Sequence, residues 1–209
     1  MSILEETGGI VEIGEWVLNE ACHTAAAWQG RHPDRVTSIS VNMSARELAA
    51  PHLVDHVRLA LARSGLDPSA LILELTESCL VHDPEMVALQ LGELHGLGVR
   101  IAIDDFGTGY SSLSYLRQFP VDILKIDQSF VGTITDQERA PAVLRGLLDL
   151  ARTLELETIA EGIEVDAQRV SLLDQHCDFG QGFLYAHPMS NADAEDLVEH
   201  ESVQRSLPA

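Results

Sequence analysis

Apolar residues recur along the chain at two spacings that alternate. Residues 10–28 place Ile10, Ile13 and Val17 three or four positions apart, which is the spacing of one buried helical face. Residues 71–77, LILELTE, instead form a short apolar run of strand length. Because segments of these two kinds follow one another through almost the whole chain, the pattern predicts an α/β protein.

Turn and capping residues mark several boundaries. The helix predicted over 53–65 ends at Gly65, and Pro84 behind Asp83 is the preferred start of a helix over 84–98. The same patterns predict strands over 37–45, 71–77, 99–107, 123–127, 157–162 and 180–186, and further helices over 112–118, 138–154 with Asp136 as a candidate cap, 166–175 and 192–199. Six strands, each joined to the next by a helix, predict parallel pairing with right-handed crossovers.

Polar or charged side chains stand at or near the carboxyl end of the predicted strands. They are Asn42, Glu74, Glu77, Asp104, Asp105, Lys125, Asp127, Glu161 and Gln181. Two architectures fit alternating strands and helices, an open doubly wound sheet and a (β/α)8 barrel. The open nucleotide-binding sheets lose support because the sequence contains no G-x-G-x-x-G or Walker A motif. A barrel brings all strand ends to one mouth, where barrel enzymes have their sites, so we favour the barrel.

The strand-end acids predict a metal site. Like charges at a low-dielectric rim repel one another, and a divalent cation relieves that repulsion. Oxygen donors suit Mg²⁺ or Mn²⁺ rather than zinc, and several carboxylates together suggest two ions, the arrangement typical of phosphate-ester cleavage. The segment 107–113, GTGYSSL, follows the acid pair directly, so it is a candidate phosphate-binding loop or lid.

Composition narrows the classes of partner. The 209 residues, 45% hydrophobic and 22% charged, suit one globular domain, with residues 199–209 as a flexible polar tail. A net charge of −20 argues against a nucleic-acid groove or a membrane-docking face, and no apolar run reaches the ~18 residues of a membrane span. Three cysteines without a CxxC pair fit a reducing cytosol, so we expect a cytoplasmic protein.

A set of sequence strings carries a family resemblance. The strings are EETGGIVEIGEWVL, SVNMSA, ELTES, DDFGTGYSSLSYL, VDILKID, AEGIE and CDFGQGFLYAHPM. In their order and spacing they closely resemble the EAL domain, the family of cyclic-di-GMP phosphodiesterases, over residues 5–198. The resemblance implies a modified (β/α)8 barrel that binds two Mg²⁺ or Mn²⁺ ions and cuts one phosphodiester of cyclic-di-GMP to give linear pGpG.

The resemblance also implies roles for the strand-end residues. The positions that match metal ligands are Asn42, Glu74, Asp104, Asp105 and Glu161. Lys125 matches the lysine beside the attacking water, and Asp105 and Glu161 match ligands or water-orienting acids at the second metal. The resemblance places Asp127 and Gln181 near the bound substrate, and Glu77 matches the glutamate that holds the DDFGTG loop.

The chain departs from the family pattern in one respect. The Glu-Ala-Leu tripeptide does not occur, and the sequence begins where the first helix after that strand should begin. We therefore expect an incomplete barrel of EAL type over residues 1–198, with about six βα units and without the first two strands. Its exposed sheet edges predict a homodimer or another association through the gap. A fragment of a larger signalling protein would lack the first two strands in the same way.

Three functions remain open from the sequence. The first is a metal-dependent cyclic-di-GMP phosphodiesterase, in which the absent EAL glutamate weakens one metal site. The second is a catalytically inactive module that binds cyclic-di-GMP or a protein partner, which the absent strands favour. The third is a barrel lyase of the enolase kind, which also uses strand-end acids, a lysine and Mg²⁺, but the DDFGTG loop argues against it.

Overall fold

The computed structural model describes residues 9–33, 38–80, 83–108, 116, 118–134 and 141–200. The helices are α1 (Gly9–Arg31), α2 (Ala45–Leu48), α3 (Leu53–Ser64), α4 (Pro84–Gly96), α5 (Gln128–Val131), α6 (Ala142–Thr153), α7 (Asp166–Asp174) and α8 (Asn191–His200). The strands are β1 (Ile39–Met43), β2 (Leu71–Thr76), β3 (Arg100–Phe106), β4 (Ile123–Ile126), β5 (Glu157–Ala160) and β6 (Phe179–Gly180). Single 3₁₀ turns cover Pro68–Ala70 and Glu77–Leu80. Among these helices, none has the length and apolar character that a membrane crossing requires.

The strands follow one another in the sheet in chain order, from β1 to β6. The pairs β1–β2, β4–β5 and β5–β6 are parallel, which confirms the predicted α/β class. The described residues divide into two compact units. The first holds the residues up to Ile103 together with 116 and 118–121, and the second holds residues 104–108 and those from Asp122 onward.

The first unit is built around β2, whose residues 71–75 are all buried. Helix α1 packs against α3 and β1 and buries Leu18, Cys22 and Ala25. The predicted buried face of α1 is partly wrong, because Ile13 and Val17 are exposed. The face that meets the core instead runs from Ile10 through Gly14 to Leu18, and it turns toward the acidic side chain of Glu47.

The second unit packs helices α6 and α7 against β4 and β5. All four residues of β4 are buried, and Ile126 joins a core cluster with Leu144, Leu148, Ala160 and Leu172. Strand β4 is therefore buried along its whole length, and this packing fixes the position of the polar side chain that it carries near its end.

Two predicted helix boundaries are confirmed. Gly65 takes the left-handed conformation at φ 73° and donates its N–H to the carbonyl of Leu61 at 2.9 Å, which ends α3. Asp83 accepts a hydrogen bond from the Met86 N–H at 3.2 Å, and Pro84 occupies the first turn of α4. Both signals are local in the sequence, so they do not depend on the surrounding fold.

The last predicted strand, over 180–186, is wrong. Strand β6 ends at Gly180, and the chain then turns, with the Tyr185 N–H donating to the Gly182 carbonyl at 3.0 Å. The turn lies against Ile163, whose carbonyl accepts the Leu184 N–H at 2.9 Å. A Cβ at Gly182 would overlap the Ile163 backbone, so the chain bends around this contact and does not continue as a strand.

Several predictions concern residues outside the described part of the chain. They are most of the helix predicted over 112–118, the cap at Asp136, the segment 109–113 and the tail beyond His200. Helix α6 begins at Ala142 behind Pro141.

The sequence analysis missed α2, although the S-x-x-E string that starts at Ser44 is a capping box. The Ser44 N–H donates to the Glu47 carboxylate at 2.9 Å, and the Glu47 N–H donates to Ser44 Oγ at 3.3 Å.

Substitution of Gly14 tests the packing of α1 on Glu47. A Cβ at Gly14 would overlap Oε1 of Glu47, and that carboxylate is 7% exposed and held by its capping box. We expect Gly14→Ala to lower the free energy of unfolding by about 1–3 kcal/mol, measured by urea denaturation. Gly30→Ala on the same helix has no neighbour within 4 Å, so it should be neutral or slightly stabilising. Equal stability of the two variants would contradict this packing.

The cysteines give a second prediction for the fold. Burial raises the pKa of Cys22 to about 11 and also raises the pKa of Cys177. At pH 8 the reactive thiolate of Cys22 then amounts to about one part in a thousand. We expect iodoacetamide at pH 8 to leave both residues unmodified in the folded protein and to modify them in guanidinium, as peptide mass spectrometry would show. The reactivity of Cys22 in the folded state should rise only as the pH approaches 11.

Candidate metal and phosphodiester site

In the first unit, Asn42 and Glu74 are neighbours on adjacent strands. They are register partners in the parallel pair of β1 and β2. Asn42 is exposed, and Glu74 is 7% exposed. Glu77 opens the 3₁₀ turn that follows β2 and is 8% exposed. Two buried carboxylates at the end of one strand are costly in an apolar environment, so this end of β2 is specialised for polar contacts.

In the second unit, a buried lysine joins the ends of three strands. Lys125 of β4 is 3% exposed. Its Nζ lies 3.1 Å from Oδ2 of Asp104 and 2.6 Å from Oε1 of Glu161. Asp104 belongs to β3, and Glu161 directly follows β5, where its N–H donates to the Ile126 carbonyl at 3.0 Å. Both pairs are charge-assisted, so they offset the cost of burying the ammonium group.

The backbone at the end of β3 brings a second aspartate to the same place. Asp105 has φ 55°, in the left-handed region, so its side chain leaves the alternation of a regular strand. Its N–H donates to Oδ1 of Asp104 at 2.9 Å, and its carbonyl accepts from Thr108 Oγ1 at 2.8 Å. As a result, carboxylate oxygens of Asp104, Asp105 and Glu161 lie within 4.8 Å of one another.

The electrostatics of the cluster favour a cation. Partial burial raises the pKa of Asp105, and the negative charges of Asp104 and Asp127 raise it further, while Lys125 opposes the shift. Asp105 itself is exposed, and Asp104 and Glu161 are half-buried. Three oxygen donors at this spacing suit Mg²⁺ or Mn²⁺, so the residues fit the ion that the sequence predicts.

Two further predicted residues have backbone or capping contacts in the second unit. Asp127 precedes α5, and its Oδ1 accepts the Ser129 N–H at 2.9 Å. Gln181 follows β6, donates its N–H to the Ala160 carbonyl at 2.8 Å and accepts from the Ile163 N–H at 3.0 Å. The D-x-S string at Asp127 is a capping signal that the sequence analysis passed over, and it indicates the short helix α5.

The fold and this cluster define a class of protein, namely a parallel α/β protein with carboxylates and a lysine at its strand ends. The EAL domain family model matches residues 1–188, so the chain belongs to the EAL domain family of c-di-GMP phosphodiesterases. It is 46% identical over 199 residues to the bifunctional diguanylate cyclase/cyclic di-GMP phosphodiesterase MucR of Pseudomonas aeruginosa, covering 95% of this chain and 28% of that protein.

Solved structures agree with this assignment. The PaMucR phosphodiesterase in complex with c-di-GMP is 45% identical, with a TM-score of 0.85 over 92% of this chain and 78% of that chain. The EAL domain of Mycobacterium smegmatis DcpA is 37% identical, with a TM-score of 0.84 over 90% of this chain and 84% of that chain. The predicted fold class, an incomplete EAL-type barrel with six strands, is confirmed. The chain spans about a quarter of the length of the curated relatives it matches.

Replacing the buried lysine tests how strongly the cluster depends on it. Lys125→Met leaves Asp104 and Glu161 without their shared counter-charge, so we expect the free energy of unfolding to fall by about 3–5 kcal/mol at neutral pH. Arg152→Met is the control in the same unit, because Arg152 pairs with Asp149 and donates to the Gln175 carbonyl, each at 3.0 Å, on the surface, where loss of an ion pair costs about 1 kcal/mol or less. Chemical denaturation followed by circular dichroism gives both values. A similar loss in the two variants would contradict the role of Lys125.

Proposed function

We propose that the chain hydrolyses one phosphodiester bond of cyclic-di-GMP to give linear pGpG, with two Mg²⁺ or Mn²⁺ ions. The observation that carries this proposal is the cluster of Asp104, Asp105 and Glu161 around Lys125, in a chain of this family. Such ions, when bound, supply Lewis-acid stabilisation of the phosphate oxygens and lower the pKa of bound water. Asn42 and Glu74 are proposed as further oxygen ligands.

The chain's own residues have distinct roles in this proposal. Lys125 places a fixed positive charge between the ends of β3 and β5, where it orients the attacking water and offsets charge that develops on the phosphate. Glu161 holds that ammonium group from the other side and is the second water-orienting group. Asp105 is the most exposed of the three acids, so an incoming ligand reaches it first. Asp127 and Gln181 are proposed to contact the substrate, and Glu77 to hold the loop after β3.

We further propose that the chain belongs to a signalling protein of the cytosol. All three cysteines are free and buried, which suits a reducing compartment. The small-molecule partner is cyclic-di-GMP, which is also the ligand named for the PaMucR structure. Association of two copies through an exposed sheet edge stays a prediction.

An assay with cyclic-di-GMP tests the proposed function directly. We expect the purified chain with Mn²⁺ or Mg²⁺ to form pGpG, followed by chromatography, and to lose this activity in EDTA. Glu161→Gln removes one charge at constant size, so the rate should fall by about a hundredfold or more. Glu93→Gln makes the same change on the exposed surface of α4 and should leave the rate within about twofold.

The outcomes separate the candidate functions. Equal product formation by Glu161→Gln and the unchanged chain would contradict the assignment of this site. Binding of cyclic-di-GMP by calorimetry without product, in a sample with a normal circular dichroism spectrum, would instead favour the binding module.

A further inference from the structure

The four-residue helix α5 is a fixed element directly behind Lys125. Asp127 caps it at Ser129, and the Gly132 N–H donates to the Gln128 carbonyl at 2.8 Å. Its Val131 is fully buried, and its Phe130 packs against the core cluster of the second unit. Hydrogen bonds and packing therefore hold α5 in one position relative to β4.

The ring of Phe130 touches the backbone just after the aspartate pair. Gly107 follows Asp104, Asp105 and Phe106 and has φ 93°. A Cβ added there would lie 3.1 Å from both Cε2 and Cζ of Phe130 and 3.5 Å from Leu147. The Gly107 backbone thus lies close to the ring: its φ favours glycine, and a side chain there would also press on Phe130.

Gln128, on the same helix, touches the backbone just after Glu161. Gly162 has φ 70°, and a Cβ added there would overlap the Cβ of Gln128 and lie 3.2 Å from its Cα. One short helix therefore contacts the residues that follow both acid-bearing segments. Those segments supply the three carboxylates that converge within 4.8 Å.

We propose that Phe130 and Gln128 are positioning residues for the carboxylate cluster, an inference that rests on the proposed function. Phe130 fixes the left-handed turn that directs Asp105, and Gln128 fixes the turn that directs Glu161. Mutual repulsion acts to separate the three carboxylates, and the two turns oppose it together with the pairing of Lys125 to Asp104 and Glu161. Neighbours of metal ligands that set their direction typically change metal affinity by about 10–100-fold when they are substituted.

Phe130→Leu tests the first contact, with Phe119→Leu as its matched control. Phe119 belongs to the first unit and is 5% exposed, so its change to leucine likewise removes a packed aromatic ring, and the half-buried Phe130 is the ring that meets Gly107. Both variants should lose thermal stability. Only Phe130→Leu should shift the amide NMR signals of Asp105, Gly107 and Thr108, recorded without metal, and weaken Mn²⁺ binding by about 10–100-fold in calorimetry.

Gly162→Ala tests the second contact, with Gly65→Ala as its control. Gly65 has φ 73° and no neighbour within 4 Å, so both changes bear the same backbone strain and only Gly162→Ala meets Gln128. We expect a loss of Mn²⁺ affinity of the same order for Gly162→Ala and none for Gly65→Ala.

The readouts distinguish failure of this proposal from failure of the proposed function. Unchanged amide signals over 105–108 in Phe130→Leu, or Mn²⁺ affinities that match the controls, would overturn the positioning role. Absence of Mn²⁺ binding by the unchanged chain would count against the metal-dependent function. In that case the amide signals alone decide the role of Phe130: shifts confined to 105–108 support it, and unchanged signals refute it.

Discussion

A buried ammonium group between two carboxylates is the interaction on which this site depends. Moving a charge of this kind out of water costs several kcal/mol unless it is paired and hydrogen-bonded. Lys125 meets that condition through Asp104 and Glu161, which come from the strands on either side of β4 in the sheet. The apolar core fixes the lysine, and the lysine in turn fixes the acids. Core packing and site chemistry in the second unit are therefore inseparable.

Glycines in left-handed conformations complete this arrangement. The segments that carry Asp105 and Glu161 pass into Gly107 and Gly162, where an added Cβ would press on Phe130 or overlap Gln128. The apolar strand can then end abruptly, so that a charged group stands at the edge of the core within one or two residues of it.

How much the sequence predicted depends on the range of the interaction. The boundaries at Gly65 and Asp83 were predictable because a cap and its partner are at most four residues apart. The carboxylate cluster was predictable as a set, since strand ends in a parallel sheet share one edge. The end of β6 was not, because it depends on contact of Gly182 with Ile163, 19 residues away in sequence. The left-handed turn at Asp105 was not predicted either, because aspartate adopts this conformation more readily than most residues but far more often does not.

The contact between Gly14 and Glu47 has a consequence for how this sequence can change during evolution. Glu47 both caps α2 and occupies the space that a side chain at position 14 would need. A larger residue at position 14 fits best with a shorter one at position 47, and that shorter residue can no longer complete the capping box. The two positions should therefore vary together in related sequences, because a change at either one alone lowers the stability of the fold.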